Sequence, residues 1–255
     1  DVFEEKDYET LLRKEIEKDN IFAHELANLR KIWSKFLLEI AFFDVFQKIS
    51  RRDSKNAQTR LAEASLKIAF EITKRELQRR YSDFGDLHLA ILGLGKLGGR
   101  GMDYGSDLDL VLVYDDEKAL GINDLTHAEF YSRAVEIFVN VISGFTREGN
   151  LYRVDLRLRP DGKNGATSLS KKSFLNYFRH RAAIWELLAY VKIRGVLGDI
   201  NLALETEKEL RKIIHEKAQA IDLVELKSET LRIRERLAKE TTTQKNAVDI
   251  KFGEG

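Results

Sequence analysis

Six glycines within 13 residues, from residue 93 to residue 105, constrain the fold more than any other feature of the sequence. The surrounding stretch, residues 90–116, reads AILGLGKLGGRGMDYGSDLDLVLVYDD. An apolar run typical of a buried strand precedes the glycines, and a second such run follows them almost at once. The pattern predicts two strands joined by a glycine-rich connection.

The spacing Gly93-x-Gly95-x-x-Gly98 matches the glycine pattern of dinucleotide-binding folds. Asp115 and Asp116 even fall near the offset of the ribose-binding acid of those folds. Such a fold needs a full helix at the loop, because the helix N-terminus holds the pyrophosphate. Each further glycine costs a helix interior about 1 kcal/mol, and the next strand leaves no room for a crossover helix. A dinucleotide fold is therefore disfavoured, and a Walker A loop is excluded because no G-K-[ST] occurs.

The second strand carries two carboxylates, Asp107 and Asp109, on either side of Leu108. Side chains alternate faces along a strand, so both carboxylates point the same way, with Cα atoms about 6.5–7 Å apart. Two like charges beside a core are unfavourable unless a cation neutralises them. The pair therefore favours a site for two hard cations bridged by carboxylate oxygens. The alternative is a glycine-rich turn followed by a surface pair of aspartates.

A third strand is predicted over LYRVDLRLRP, which ends at Pro160, the only proline of the chain. On such a strand Asp155, Arg157 and Arg159 share one face. A carboxylate completes a cation site, and two guanidinium groups bind phosphate oxygens, so the set suits a metal-bound triphosphate. The alternative is a surface ladder of salt bridges.

Helical patterns flank these strands on both sides. Before them, LANLRKIWSKFLLEIAFFDVFQKI and RLAEASLKIAFEITKRELQRRY have apolar helical faces, and RRDSKNAQ between them reads as a polar loop with Asp53 or Ser54 as a cap. Between the second and third strands, INDLTHAEFYSRAVEIFVNVISGF predicts a helix whose buried face runs to Phe145. After Pro160, KKSFLNYFRHRAAIWELLAYVKIR and two charged amphipathic segments up to about Lys239 also predict helices, and VDIKFGEG at the end reads as a strand. We expect a helical segment over residues 1–82, a core over 83–200 and a helical tail over 201–255.

Composition bounds the class of protein. Lys plus Arg number 43 and Asp plus Glu number 42, which argues against a dedicated nucleic-acid binder. The chain has no cysteine, which excludes disulfides and thiolate metal sites and indicates a reducing compartment, the cytoplasm. The sequence shows no signal peptide and no apolar run long enough for a membrane span. The first residue is Asp1 rather than Met, so we expect a fragment of a longer chain.

The motifs resemble those of a known family. Gly98 and Gly99, seven residues, a D-x-D on a strand and a later aspartate form a pattern similar to that of the DNA polymerase β-like nucleotidyltransferases. More closely, LGLGKLGGRGMDYGSDLDLVLVYDD, LYRVDLRLRPDGKNG and IWELLAYVKIRGVLGD resemble segments of the bacterial glutamine synthetase adenylyltransferases. The resemblance runs from about Leu61 to the C-terminus, where VDIKFGEG resembles the start of the next conserved block. It implies an α+β fold, with a small mixed sheet and helices as a polymerase β-like core, flanked by N-terminal and C-terminal helical segments.

The resemblance also implies an activity. Members of that family carry two homologous nucleotidyltransferase halves. One half attaches AMP from ATP to a tyrosine of glutamine synthetase, and the other removes it by phosphorolysis with release of ADP. The family further implies regulation by a PII signalling protein.

A mechanism follows for this chain as a hypothesis, with ATP as substrate and two Mg²⁺ ions. Asp107 and Asp109 are expected to hold both ions, and Asp155 the ion that binds the tyrosine hydroxyl. The nucleotide-binding residues are expected around the phosphates: the amides of Gly98 and Gly99, the hydroxyl of Ser106, the guanidinium groups of Arg157 and Arg159, and the ammonium of Lys96. Lys96 is equally consistent with a solvated lysine.

Weaker candidates lie after the third strand. Trp185 and Glu186 are expected either near the nucleotide or, for Trp185, in the core. Lys192 and Arg194 are expected either at phosphate or protein contacts or on a solvated helix face.

Three functional classes stay open on the sequence. The residues Tyr104-Gly105-Ser106 before Asp107 resemble the sequence of the transferase half, which we favour. Arg153 and Val191-Lys192 instead resemble the sequence of the removing half. The third class is a nucleotide-binding module with weakened catalysis. It is suggested by Gly101, which stands where the family usually has a glutamate.

Overall fold

A computed structural model describes residues 6–16, 21–81, 84–122 and 124–241 of the chain, so the predicted terminal strand VDIKFGEG lies outside the described residues. The N-terminal part is helical, as predicted, with α1 at Tyr8–Ile16, α2 at Phe22–Phe46 and α3 at Arg51–Arg80. No helix in the described ranges is long and apolar enough to cross a bilayer.

The predicted polar loop over RRDSKNAQ is wrong, because those residues form the first turns of α3. The cap is Ser50, whose hydroxyl accepts a hydrogen bond from the Asp53 amide at 3.1 Å. Ser54, Ala57 and Gln58 then face the interior and are nearly inaccessible to solvent. The polar composition of this stretch hid a helix whose buried face is made of small and amide side chains.

A mixed sheet carries the remaining elements. Its strands are β1 at Leu89–Gly93, β2 at Leu108–Tyr114, β3 at Val154–Asp155, β4 at Leu169–Ser170 and β5 at Arg194–Gly198. The order is β3-β2-β1-β5, with β4 also on β2; β1 runs antiparallel to β2 and β5, while β3 and β4 run parallel to β2. Helices complete the chain: α4 at Gly95–Gly98, α5 at His127–Ser143, α6 at Lys171–His180, α7 at Ile184–Ala189, α8 at Ile200–Ala220 and α9 at Leu223–Thr241.

The β1–β2 pairing confirms the two strands predicted around the glycines. The strands are antiparallel, and only the four-residue helix α4 lies in their connection. A dinucleotide fold needs parallel strands with a crossover helix, so the structure agrees with its rejection.

Three predicted element boundaries are wrong. The third strand ends at Asp155, because the chain turns where the Arg159 amide donates to the Leu156 carbonyl at 3.2 Å, so Arg157 and Arg159 share no strand face with Asp155. Helix α5 ends before Phe145, which is 84% exposed rather than buried. The segment around Arg194, predicted as helix, is strand β5, so the solvated helix face considered for that residue does not exist.

Two hydrophobic clusters lie on opposite faces of the sheet. Alternate residues of β2 divide between them: Leu108, Leu110 and Leu112 face the cluster shared with α1, α2, α3 and α5, and Val111 and Val113 face the cluster shared with α6, α7 and α8. This alternation is the period-two pattern of a strand buried on both faces. The N-terminal helices thus share a core with the sheet, and the domain boundaries at residues 82 and 200 stay predictions.

Candidate active site

The parallel pairing of β2 and β3 places two of the three predicted aspartates, Asp109 and Asp155, side by side. Leu108 pairs with Val154 and Asp109 with Asp155, and the Leu108 amide donates to the Arg153 carbonyl at 2.8 Å. Paired strands lie about 4.8 Å apart, so Asp109 and Asp155 are neighbours at the start of β2. Asp107 precedes Asp109 by two residues and shares its face. The structure therefore forms an acidic site, defined here as Asp107, Asp109 and Asp155.

Two arginines neutralise part of this acidic site. Arg153 Nε donates to Asp107 Oδ1 at 2.6 Å. Arg157 Nε donates to both carboxylate oxygens of Asp155 at 2.9 Å, and the Arg157 amide donates to Asp155 Oδ1 at 2.8 Å. The hydrogen bond from the Arg157 side chain holds the pKa of Asp155 below its usual value. The same bond raises the pKa of Arg157, and the negative charges of Asp107 and Asp109 add to that rise.

Arg159 holds the loop that follows β3. Its guanidinium donates to the carbonyls of Leu156, Gly165 and Lys163 at 2.8, 3.0 and 3.2 Å. In this conformation the side chain closes a turn, whereas Arg157 contacts the acidic site directly.

The glycine loop begins against Asp109. The Leu94 amide donates to the Asp109 carbonyl at 2.9 Å. Gly95 has a φ of +52°, and a Cβ there would stand 2.2 Å from Asp109 Oδ2. The positive φ favours glycine, and any Cβ there would force the Asp109 carboxylate to move. Gly95 was not among the predicted site residues, although its place in the G-x-G-x-x-G spacing indicated a functional glycine.

In this conformation Gly98 and Gly99 allow the loop to pack closely against Lys192. Their amides donate to the carbonyls of Leu94 and Gly95 at 2.8 and 3.1 Å, inside the loop itself. A Cβ on Gly98 would stand 2.1 Å from the Lys192 carbonyl oxygen, and one on Gly99 would stand 3.1 Å from Lys192 Cδ. Their amides can reach phosphate oxygens only if these internal bonds are exchanged.

Lys96 and Ser106, both predicted at the phosphates, meet beside the acidic site. Lys96 Nζ donates to Ser106 Oγ at 3.1 Å, and the Asp103 amide donates to the same oxygen at 3.1 Å. Gly101, where the family resemblance predicted a glutamate, has open space: a Cβ there would meet no atom within 4 Å.

The weaker candidates have mainly structural contacts. Arg194 donates to the carbonyls of Leu97 and Gly98 at 2.8 and 3.3 Å and pairs with Glu63 of α3, so it braces the glycine loop. Glu186 is buried, accepts the Tyr177 hydroxyl at 2.7 Å and caps α7. Trp185, on the same helix, is 38% exposed.

A cleft of about 260 Å³ opens beside the acidic site, between α2, α3 and the chain leading into β2. Its lining includes the aromatic side chains of Trp33, Tyr104 and Tyr152, together with Ser106 and Arg153, which adjoin the acidic site. Trp33 Nε1 donates to the Tyr152 hydroxyl at 2.8 Å, which fixes one wall. Arg153 was noted from the sequence only for its resemblance to the removing half. The aromatic wall was not predicted, because Trp33, Tyr104 and Tyr152 are distant in sequence.

The donor set fits a hard divalent cation, since three carboxylates supply the oxygen ligands that Mg²⁺ prefers. Within the described ranges, however, no three acidic, histidine or cysteine side chains already stand together as a metal shell. Asp107 and Asp155 are instead ion-paired with Arg153 and Arg157. A bound cation requires those two guanidinium groups to move.

The fold and the site define an α+β protein with an acidic site at the start of a strand, bordered by a glycine-rich loop. A model of the glutamate-ammonia ligase adenylyltransferase family matches residues 1–209. The chain belongs to this family.

Individual relatives agree with the family match. A bifunctional glutamine synthetase adenylyltransferase/adenylyl-removing enzyme of Mesorhizobium japonicum is 31% identical over 231 residues, 88% of this chain and 23% of the relative. The protein of the same description from Bartonella henselae is 36% identical over 162 residues, 62% of this chain and 17% of the relative. The chain thus spans about a fifth of the length of these relatives.

Proposed function

We propose that the chain carries one nucleotidyltransferase site, which transfers AMP from ATP to a tyrosine of glutamine synthetase. The observation that carries the proposal is the register that places Asp109 beside Asp155, with Asp107 on the same face and the glycine loop against Asp109. The family match and the activity of the relatives named above support the substrate. The sheet and the acidic site are consistent with a polymerase β-like core.

The acidic site is proposed to hold two Mg²⁺ ions, with Asp107 and Asp109 as ligands of both and Asp155 as a ligand of one. Bound there, Mg²⁺ would neutralise phosphate charge and lower the pKa of the acceptor hydroxyl, which is about 10 for a free tyrosine.

The remaining residues of the site bind the nucleotide and balance charge in this proposal. Lys96 and Ser106 contact the β- and γ-phosphates, with the amides of Gly98 and Gly99 joining once their internal bonds exchange. Arg157, released from Asp155, offsets charge on the transferring group and the leaving pyrophosphate, as Arg159 would if the loop after β3 opened. The phenolic oxygen attacks the α-phosphorus, the bond between that phosphorus and the oxygen bridging to the β-phosphate breaks, pyrophosphate leaves, and the phenolic proton passes to solvent water.

One observation favours phosphorolytic removal of AMP as a second candidate. Arg153 is an additional cation at the site, where it pairs with Asp107 and lines the cleft. Inorganic phosphate, the second substrate of the removing reaction, carries more negative charge than a tyrosine hydroxyl and gains more from this guanidinium. In either direction the parent chain would operate in the cytoplasm, where a PII signalling protein is a candidate regulator.

A label-transfer experiment tests the proposal. The chain is incubated with ATP labelled at the α-phosphate, Mg²⁺ and unmodified glutamine synthetase, beside an Asp107→Asn/Asp109→Asn variant. We expect label on the synthetase with the unaltered chain and none with the variant. Label from both proteins would contradict the role of the aspartates.

A second incubation separates the two directions. Adenylylated glutamine synthetase is given with inorganic phosphate, and ADP is measured. ADP release without label transfer would replace the transferase proposal by the removing activity. ATP binding without either reaction would leave a nucleotide-binding module.

A further inference from the structure

The segment from Met102 to Ser106 joins the glycine loop to the first ligand position of the acidic site, Asp107. Gly101 directly precedes the segment, and Gly105 within it has a φ of +66°. Met102 packs into the core at the start of the segment, whereas a Cβ on Gly105 would meet no atom within 4 Å. Hydrogen bonds therefore matter most for the exposed part of the segment around Tyr104 and Gly105.

Helix α3 supplies the first of these bonds. The Met102 amide donates to the Thr59 hydroxyl at 3.1 Å, and both residues are buried. Lys55, one turn earlier on α3, lies 3.7 Å from Asp103. The beginning of the segment is therefore attached to α3.

A second attachment reaches α2. The Tyr104 hydroxyl donates to Asp44 Oδ2 at 3.1 Å, and the Ser54 hydroxyl donates to the same oxygen at 3.0 Å. Gln58 Nε2 in turn donates to Ser54 at 3.2 Å. Desolvation raises the pKa of the Tyr104 hydroxyl, so this group remains a donor at neutral pH. One carboxylate on α2 thus connects the tip of the segment with the start of α3.

The attachment is transmitted to the acidic site by a closed turn. The Ser106 amide donates to the Asp103 carbonyl at 3.0 Å, while the Asp103 amide donates to Ser106 Oγ at 3.1 Å. Tyr104 lies inside this turn, and Asp107 follows it directly. Fixing the Tyr104 hydroxyl therefore fixes Ser106 and Asp107.

We propose that Asp44 and Tyr104 are positioning residues, which hold the Met102–Ser106 segment so that Ser106 and Asp107 stand in place for nucleotidyl transfer. The inference rests on the proposed function for its catalytic meaning, whereas the attachment itself is independent of it. A displacement of about 1 Å at a reacting centre can cost about 10²-fold in rate, so a tether remote from the substrate has leverage on turnover.

The experiment compares Tyr104→Phe with Tyr81→Phe. Both substitutions remove one hydroxyl that is hydrogen-bonded to a charged side chain, but the partner of Tyr81 is Arg133, on α5. We expect Tyr104→Phe to lower kcat about tenfold with little change in the KM for ATP, and Tyr81→Phe to leave both near the unaltered values. Equal kcat values for the two variants would overturn the proposal.

The role of Asp44 is tested by a graded pair and a double variant. Asp44→Asn keeps an oxygen acceptor for the Tyr104 hydroxyl and should retain more kcat than Asp44→Ala. The double variant Asp44→Ala/Tyr104→Phe should be no slower than the slower single variant, because both changes break one connection. Fully multiplied losses would show that the two side chains act separately and would contradict the tether.

Hydrogen exchange gives a readout without turnover. In Tyr104→Phe, amides of residues 102–107 should exchange faster than in the unaltered chain, while those of α5 stay protected. Unchanged exchange over residues 102–107 would refute the tether, even if the chain proves inactive. An inactive unaltered chain with faster exchange in the variant would refute the proposed function alone.

Discussion

Charged residues occur in two contrasting regions of the molecule, the interior of the helical part and the acidic site. In the interior, Glu25 has a side chain only 1% exposed and pairs with Arg75 and Arg79. Arg30 is fully buried and donates to the carbonyls of Val141 and Gly144, at the end of α5. These charges have protein partners, which link α2 to α3 and to the end of α5.

At the acidic site the ion pairs are open to solvent. The side chain of Arg153 is 75% exposed and that of Arg157 is 66% exposed, while their partners Asp107 and Asp155 are 43% and 16% exposed. Exposed pairs contribute little to stability and can exchange partners at low cost. The comparison teaches that burial distinguishes charges that hold the fold from charges that are available to a ligand.

The largest expected effect concerns activity at the acidic site. Asp109→Asn should lower AMP transfer by about 10³-fold, on the scale reported for loss of a group that stabilises transition-state charge. Because the residue lies at the edge of the core, the thermal midpoint should change little. Single-turnover label transfer and a thermal melt measure the two quantities. AMP transfer by this variant at the rate of the unaltered chain would show that Asp109 is not needed for activity, and the functional contrast between the acidic site and the interior would no longer hold.

The converse effect is expected in the interior. Arg30→Met should lower the free energy of unfolding by about 3 kcal/mol, because the buried carbonyl of Val141 and the half-buried carbonyl of Gly144 lose a charged donor. Activity per folded molecule should persist below the thermal midpoint. Urea denaturation gives the stability, and an assay at low temperature gives the activity. A fall in activity without a fall in stability would place Arg30 with the site instead.

A glycine pair sharpens the comparison within the loop. Gly95→Ala should lower activity by about 10²-fold, because its Cβ would displace the carboxylate of Asp109. Gly101→Ala is the control for added bulk alone, since Gly101 has no positive φ and a Cβ there meets open space, whereas Gly95→Ala also strains the backbone at a φ of +52°. The measurement is the initial rate of AMP transfer by each purified variant at equal concentration of folded protein. Equal losses would mean that the loop responds to added bulk anywhere.

The smallest effect concerns the ion pair of Asp155. Its pKa is lowered in the folded chain, so its ionised form contributes stability above the unfolded pKa of about 3.9, and that contribution is lost as the pH falls through the folded pKa. Arg157→Gln should raise the Asp155 pKa toward its usual value and flatten this part of the stability curve. Carboxyl carbon NMR follows the titration, with Lys163→Gln as the control for loss of one positive charge. An unchanged Asp155 titration in Arg157→Gln would show that another group lowers the pKa.

The sequence was sufficient for the centre of the sheet and for the proximity of Asp109 and Asp155. β1 and β2 have strong apolar patterns, and Asp107 and Asp109 interrupt the second one at period two, so their common face followed from strand geometry. The partnership with Asp155 was also predicted, and the register confirms that it lies beside Asp109. Local pattern was enough here because each strand is marked by its own residues.

Features that depend on distant contacts were not predictable. Alternation in LYRVDLRLRP continues past Asp155, but pairing with β2 stops there, and Leu156 and Leu158 pack in different clusters. Strand β5 reads as the end of a helix until β1, about a hundred residues earlier, supplies its hydrogen-bonding partner. Strand identity in both cases is decided by a neighbour that the local sequence does not contain.

The topology of the sheet also orders events during folding. β1, the glycine loop and β2 are contiguous in sequence, so their hairpin closes a short loop, whereas Asp155 reaches β2 only after the whole of α5 has been placed. Short-range contacts form faster than long-range ones, because the loop entropy to be overcome is smaller. We therefore expect Asp107 and Asp109 to adopt their arrangement early and the site to become complete only when β3 pairs with β2. A folding intermediate of this chain would carry the glycine loop and one half of the acidic site without the other.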